Sequence, residues 1–267
     1  PHAPVVQGAK RPITAALGRG LFLVAPFALL LLVWWSVKEL FAFPDRVLVA
    51  PSQVARATAD LLWLGMLSDA AGASIGRLSV AAVIALGVAV PIGLALGMSA
   101  PVSRSVEPFL RFLQNISGIA WLPLGIVWYG FSDRTILAVV LYTFFIPVLF
   151  NTMIGVQTVP RRFEHACRTL GAGTGQIVRD VYIPGALPGI LIGMSLGIGY
   201  GWRALIAGEM LVGEGGLGEI IFSARQLGQV DLIMAGMIII GFLYLVFDRL
   251  IVEGINQLTV DRWGSRR

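Results

Sequence analysis

The chain has 267 residues, of which 57% are hydrophobic and only 13% charged, with a net charge of +5, a pI near 9.9 and a mean hydropathy of +0.82. Soluble domains of this size carry about 25% charged and about 45–50% apolar residues, so the excess apolar surface has to be covered by lipid and a soluble fold is excluded. The basic residues sit between apolar runs, which reads as membrane topology and leaves no nucleic-acid face. The single cysteine, Cys167, excludes an intrachain disulfide and a cysteine-ligated metal site, and His2 and His165 are the only histidines.

A spanning helix needs roughly 20 mostly apolar residues, and the chain offers six candidates in order. The first is Gly20–Leu40; its apolar stretch is too long for a cleaved leader and no small-x-small site follows it, so it reads as a retained helix. Next, Pro51–Leu67 places Val54, Ala57, Leu61 and Leu64 at helical spacing with Arg56 and Asp60 one turn apart, which predicts a short amphipathic helix lying on the membrane surface. The second span is Ser74–Met98, rich in glycine and alanine. The third, Glu107–Tyr129, is the least regular, and Pro123 is expected to kink or break it. Thr135–Val156 is the fourth span, Pro188–Leu211 the fifth and Leu232–Val252 the sixth. In the fifth, Gly193, Gly197, Gly199 and Gly201 allow a close helix approach, expected at a subunit interface. Between the last two spans, Gly213–Gln229 is glycine-rich and then weakly helical.

Six spans put both termini on one side of the membrane. Lys10, Arg11, Arg19, Arg104, Arg111, the arginines of Pro160–Ile183, and Arg249, Arg262, Arg266 and Arg267 fall on that side; Lys38, Arg46, Arg56, Arg77, Arg134 and Arg225 fall opposite or near that edge. The imbalance orients the termini and the Pro160–Ile183 loop to the cytoplasm. The resulting division is a cytoplasmic tail over 1–19, a membrane domain over 20–259 with the loop 160–183 within it, and a second cytoplasmic tail over 260–267.

That loop reads VPRRFEHACRTLGAGTGQIVRDVYIPGALPG. Arg161–Leu170 can form a short helix carrying Arg161, Arg162 and Arg168. Gly171 can end it with positive φ, and Thr174 can cap a second short helix. Pro184 and Pro188 then mark entry to the next span. The loop resembles the signature loop of bacterial ABC importer permeases, an E-A-A triplet followed at fixed spacing by Gly, two aliphatic positions and Pro. Here Gly171, Val181, Ile183 and Pro184 hold the spacing and Ala166 is the middle of the triplet; His165 stands in place of the family's Glu and Cys167 in place of its second Ala, while Glu164 falls one position early. APSQV, SIGRL, VEPFL, AWLPLGIVWYG and RALIAGEML extend the resemblance over about Val49–Arg262, toward the nitrate, sulfonate and taurine branch.

The resemblance implies an all-α polytopic protein of about six transmembrane helices with the type I ABC importer permease fold. It implies that two copies of an ATP-hydrolysing subunit grip the loop through Arg161, Arg162, Glu164, His165, Ala166, Cys167, Arg168, Gly171 and Ala172. It also implies a second permease copy, a periplasmic or lipid-anchored substrate-binding protein, and ATP and Mg bound by the partner ATPase with no cofactor in this chain. The expected cargo is a small anion, such as nitrate, taurine or another sulfonate. The expected place is the bacterial inner membrane.

Ionisable groups inside a span cost roughly 2.5–3.5 kcal/mol near the helix centre on insertion scales and are functional candidates by default. Arg203 and Glu209 in the fifth span stand out, about 22 Å and farther from Pro188 at 1.5 Å per residue; six residues apart, they are poor partners for each other. Each either pairs with a neighbouring helix or, for Arg203, faces a cavity that attracts an anion. With Tyr200 of the same span and Asn115, Ser117, Trp121 and Pro123 of the third, they form the expected translocation pathway. The P-loop pattern GxxxxGK[ST] is missing: Lys10 follows Ala9 and Lys38 follows Val37, so the energy has to come from another subunit. A secondary transporter or channel would show inverted repeats with matching broken helices, and a membrane enzyme would show paired acid and base groups; neither pattern is present.

Overall fold

The computed structural model describes the backbone of residues 13–249 and the side chains of residues 25–249, and among these every regular element is helical. In chain order they are α1 (Ile13–Leu40), α2 (Pro51–Trp63), α3 (Met66–Met98), α4 (Ala100–Asn115), a 3₁₀ turn (Gly118–Trp121), α5 (Leu122–Tyr129), α6 (Asp133–Gln157), α7 (Arg161–Thr169), α8 (Thr174–Ile177), a π-turn (Val178–Tyr182), α9 (Ile183–Val212), α10 (Leu217–Gln226) and α11 (Val230–Asp248). Among the described residues α3, α6, α8–α9 and α11 are each long and apolar enough to cross a membrane, and α4–α5 make a fifth crossing if taken as one broken span. α1 supplies a further 28-residue apolar helix and starts within the stretch read as an N-terminal tail. The end of the sixth expected span and the C-terminal tail lie outside the described residues.

α6 is the hub. Residues on all its faces are buried, from Thr135 and Ile136 through Val140, Phe144 and Val148 to Met153 and Val156. α11, equally apolar, fully buries only Ala235, Gly236 and Ile239; Tyr244 and Phe247 pack partly on Trp202, and Met237, Ile238, Phe242 and Leu245 are exposed. Small residues let α3 and α9 press against α6. On α3, Ala81, Ala85, Ala89, Gly93 and Gly97 recur every fourth position and are all buried, the spacing that lets helix backbones approach in lipid. A Cβ at Gly93 would stand 2.9 Å from the Leu149 carbonyl oxygen, and one at Gly193 of α9 would stand 2.9 Å from that of Pro147. The α9 glycines therefore serve packing within one chain. Gly193, Gly197 and Gly201 all meet α6, and Gly199 faces the Tyr244 hydroxyl of α11, which corrects the expectation of a subunit interface.

α2 also departs from expectation. It is amphipathic, but its face of Val54, Ala57 and Leu61 is buried in protein with Leu67 and Ala70 of α3 and Ala235 and Ile239 of α11. Gln53 accepts from the Ala50 amide at 2.8 Å to close its first turn. The link from α1 is stapled by Lys38–Asp45 at 2.8 Å, with Gln53 donating to Asp45 at 3.1 Å. These two donors hold the Asp45 carboxyl below its ordinary pKa, Lys38 contributing most.

Candidate functional site

The third span breaks between α4 and α5, whose axes are bent by 81°. Ile116 and Ser117 are extended, with ψ of 116° and 133°. The run Asn115-Ile116-Ser117-Gly118 is poor in helix-forming residues, so continuing the helix through it gains little. The carbonyls at the end of α4 gain further partners: the Asn115 side-chain amide donates to the Arg111 carbonyl at 2.7 Å, and the Tyr142 hydroxyl of α6 donates to the Leu113 carbonyl at 2.8 Å. Irregular backbone at membrane depth survives where protein satisfies it in this way. Gly118 is buried directly against Thr143, leaving no room for a Cβ. Pro123 is not the cause of the break, as the sequence suggested. It opens α5, where the first amides have no helical partner and proline is at ease.

A cavity of about 290 Å³ fills the angle of the break, bounded by α6 and α9. Asn115, Ser117, Tyr142, Thr143, Tyr200 and Arg203 supply its polar wall. The Arg203 guanidinium lies 6.0 Å from the Tyr200 ring and, among the described residues, has no ion-pair partner. The structure thus gathers four of the seven expected pathway residues at one place. Trp121 and Pro123 lie outside this cavity. Trp121 packs on Tyr142 with ring centroids 5.2 Å apart and lines a separate cleft of about 190 Å³ with Gly125, Trp128 and Tyr129.

Glu209 is placed differently again. It is fully buried and is claimed on every side: Ser74 Oγ donates to it at 2.8 Å, Arg77 Nη1 at 2.9 Å and the Gly218 amide at 3.0 Å. Arg77 also pairs with Asp133 at 2.6 Å and donates to the carbonyls of Glu214 and Gly215. Ser74 in turn accepts from the Leu217 amide at 3.0 Å. The knot ties α3, α6, the end of α9 and the start of α10, so Glu209 pairs with a neighbouring helix and stays out of the cavity. Sequence reading passed over Ser74 and Arg77; the signal was a charged Arg77 inside an apolar helix with a buried acid still needing a partner.

At the opposite end of the bundle, α7 buries no residue. Arg161, Arg162, His165, Ala166 and Arg168 are exposed, as are Phe163 and Leu170, whereas Cys167 and Ala172 tuck against Ile177 and Tyr182. Gly171 has φ +83°, and the Ala172 amide reaches the Cys167 carbonyl while that of Gly171 reaches Arg168, both at 3.0 Å. This is a Schellman end, in which glycine avoids the steric cost of a left-handed residue. Glu164 holds the elbow shut, pairing with Arg168 at 2.8 Å and accepting from the Tyr182 hydroxyl at 2.7 Å. The Tyr182 bond, foremost, keeps the Glu164 carboxyl below its ordinary pKa. The second half of the elbow is no separate helix. α8 runs through the π-turn into α9, with the Ile183 amide reaching back five residues to Val178. That wider turn sits where the ring of Pro184 would crowd an ordinary α-turn.

The profile of the family described as "Binding-protein-dependent transport system inner membrane component" matches residues 87–262, a stretch holding both the cavity and the elbow. The chain belongs to that family. It is the membrane-embedded permease subunit of an ABC importer, a system whose other parts are an ATPase and a substrate-binding protein. It is similar to the taurine transport system permease protein TauC of Escherichia coli, 30% identical over 90% of this chain and 86% of that protein. It is similar also to the nitrate import permease protein NrtB of Synechocystis, at 30% over 84% of both chains. The putative aliphatic sulfonates transport permease protein SsuC of Bacillus subtilis matches at 29% over 79% of this chain and 77% of that one. Among solved structures, a chain of the inward-facing MetNI methionine ABC transporter shares the fold, with a TM-score of 0.60 at 20% identity, covering 75% of this permease and 98% of that chain.

Proposed function

We propose that this permease carries a small anion of the nitrate and sulfonate kind, and that Arg203 is the group that recognises its charge. The observation carrying this reading is a guanidinium without an ion-pair partner among the described residues, on the wall of the cavity at the broken span beside Asn115, Ser117 and Tyr200. A cation without a counter-ion at membrane depth is expensive unless a ligand or water-filled cavity receives it. The relatives' names, for taurine, sulfonates and nitrate, support the same substrate class.

In this reading two copies of the permease enclose the pathway, since one broken span and its neighbours line only one wall. Each copy presents its elbow, α7 to Gly171 and Ala172, to one ATPase subunit. The exposed Phe163 and Leu170 among arginines form a face suited to a groove with apolar floor and acidic rim. Elbow and termini face the cytoplasm, consistent with the distribution of arginine. ATP and Mg act in the partner, and the binding protein delivers cargo at the far end.

The test is uptake by the reconstituted transporter against nitrate, taurine, short alkanesulfonates and bicarbonate, with a neutral solute as control. Arg203→Gln should lower anion uptake about tenfold or more, the loss of one charge-assisted contact worth about 1.5–3 kcal/mol, with the complex still assembled. Unchanged uptake with unchanged preference in that variant overturns the assignment.

A further inference from the structure

A second cavity, of about 210 Å³, opens at the elbow end of the bundle, between the α3–α4 turn, the last turn of α6 and the start of α7. Its polar lining is one-sided. Arg104 and Arg161 enter from α4 and α7, Ser103, Gln157 and Tyr182 complete it, and no carboxylate lines it. Among the described residues neither arginine has an ion-pair partner, although Arg111 and Arg168 nearby in sequence each hold a glutamate one turn away. The Tyr182 hydroxyl donates to Glu164, whose carboxylate lies behind the lining and is paired with Arg168. Two helices, of 16 and nine residues, begin at the same spot, at Ala100 and Arg161, adding the positive ends of their dipoles to the two guanidiniums. Room for a group of several heavy atoms, two planar forks of donors and no acid is the chemistry of a phosphate site. Basic pockets between membrane helices on the cytoplasmic side take lipid headgroups for the same reason.

We propose that this cleft binds a phosphate-bearing anion, either free phosphate or the headgroup of an anionic lipid. Arg104 stands at the start of α4, whose other end forms the broken span, and Arg161 at the start of the elbow. One bound phosphate therefore bridges the pathway helix and the coupling helix, and its occupancy sets how freely the two move apart. The inference is independent of the role given to Arg203, since its test reads binding without transport.

The experiment uses the assembled transporter without nucleotide, in zwitterionic nanodiscs. Inorganic phosphate is titrated in one arm and phosphatidylglycerol is included in the bilayer in the other. The readouts are the thermal midpoint and the lipid retained in native mass spectrometry. The Arg104→Gln/Arg161→Gln double variant should bind about tenfold or more weakly than the wild type. Arg111→Gln, whose guanidinium is already paired with Glu107, should match the wild type. Any phosphate site in the ATPase responds alike in all three proteins, so only the difference between them counts. A difference in the phosphate arm assigns a soluble ligand, and one in the lipid arm a headgroup; equal behaviour of wild type and double variant in both arms overturns the proposal. If the double variant fails to assemble, the two single variants, each expected to weaken binding about threefold, carry the same comparison.

Discussion

Two ionisable residues on one helix, Arg203 and Glu209, meet opposite fates. Glu209 is sealed in a knot in which Ser74, Arg77 and the Gly218 amide all donate to its carboxylate. Arg203, six residues earlier, lines a cavity and among the described residues has no ion-pair partner. A charge in an apolar segment is thus no single signal. When neighbouring helices supply every partner it is part of the frame, and when they supply none it is available to a ligand. The comparison can be broken or sharpened in steps.

The largest effect is expected at the knot. Glu209→Ala leaves Arg77 with Asp133 as its remaining ion-pair partner and takes the acceptor from Ser74 Oγ and the Gly218 amide, each buried donor left unpaired costing about 1–3 kcal/mol. Thermal unfolding of the purified permease should show a large drop and the yield of assembled transporter should fall; a variant that melts normally but fails to transport would move Glu209 from frame to pathway. Next comes Gly118→Ala, which forces a methyl into Thr143 and should cost about 1–3 kcal/mol by overpacking. Thr143→Ala, by removing the hydroxyl in the way, should restore most of that loss in the double variant. Gly171→Ala at the elbow should cost about 1–2 kcal/mol, the usual penalty for a non-glycine left-handed residue. Its mark should be poorer stimulation of the ATPase by cargo, with the membrane core intact in hydrogen exchange.

The smallest effect is on pH. The Glu164 carboxyl is held below the ordinary glutamate value of 4.5, so it favours the closed elbow above that value and the contribution fades as pH falls through its lowered value. Hydrogen exchange in α7 should therefore rise below about pH 4.5 and change little above it; in Tyr182→Phe exchange should already be faster at neutral pH and its further rise on acidification smaller.

Hydropathy located the spans because lipid and protein interior reward the same apolar residues. For that reason it could not tell α6, enclosed by protein, from α11, which leaves one side exposed. The same blindness sent the apolar face of α2 to the membrane surface when α3 and α11 cover it. The break of the third span was legible as irregularity, but Pro123 drew the attention that belonged to Asn115–Gly118, where absent helix propensity and a tight approach to Thr143 do the breaking. Gly171 and its elbow were readable because a left-handed helix end needs only local sequence. The knot was not, since Ser74 and Glu209 are 135 residues apart and their meeting is a property of packing alone.

The run from Thr174 through the π-turn to Val212 is one continuous helix, clamped near its far tip at Glu209 and held to α6 along its length where Ala186, Gly189, Gly193 and Gly197 meet it. Thr174 is about 52 Å from the clamp at Glu209 and Arg203 only about 9 Å from it, at 1.5 Å per residue. A helix gripped over most of that distance shifts only together with α6, so any displacement at the elbow end reaches the walls of the Arg203 cavity as a movement of the two helices as one body.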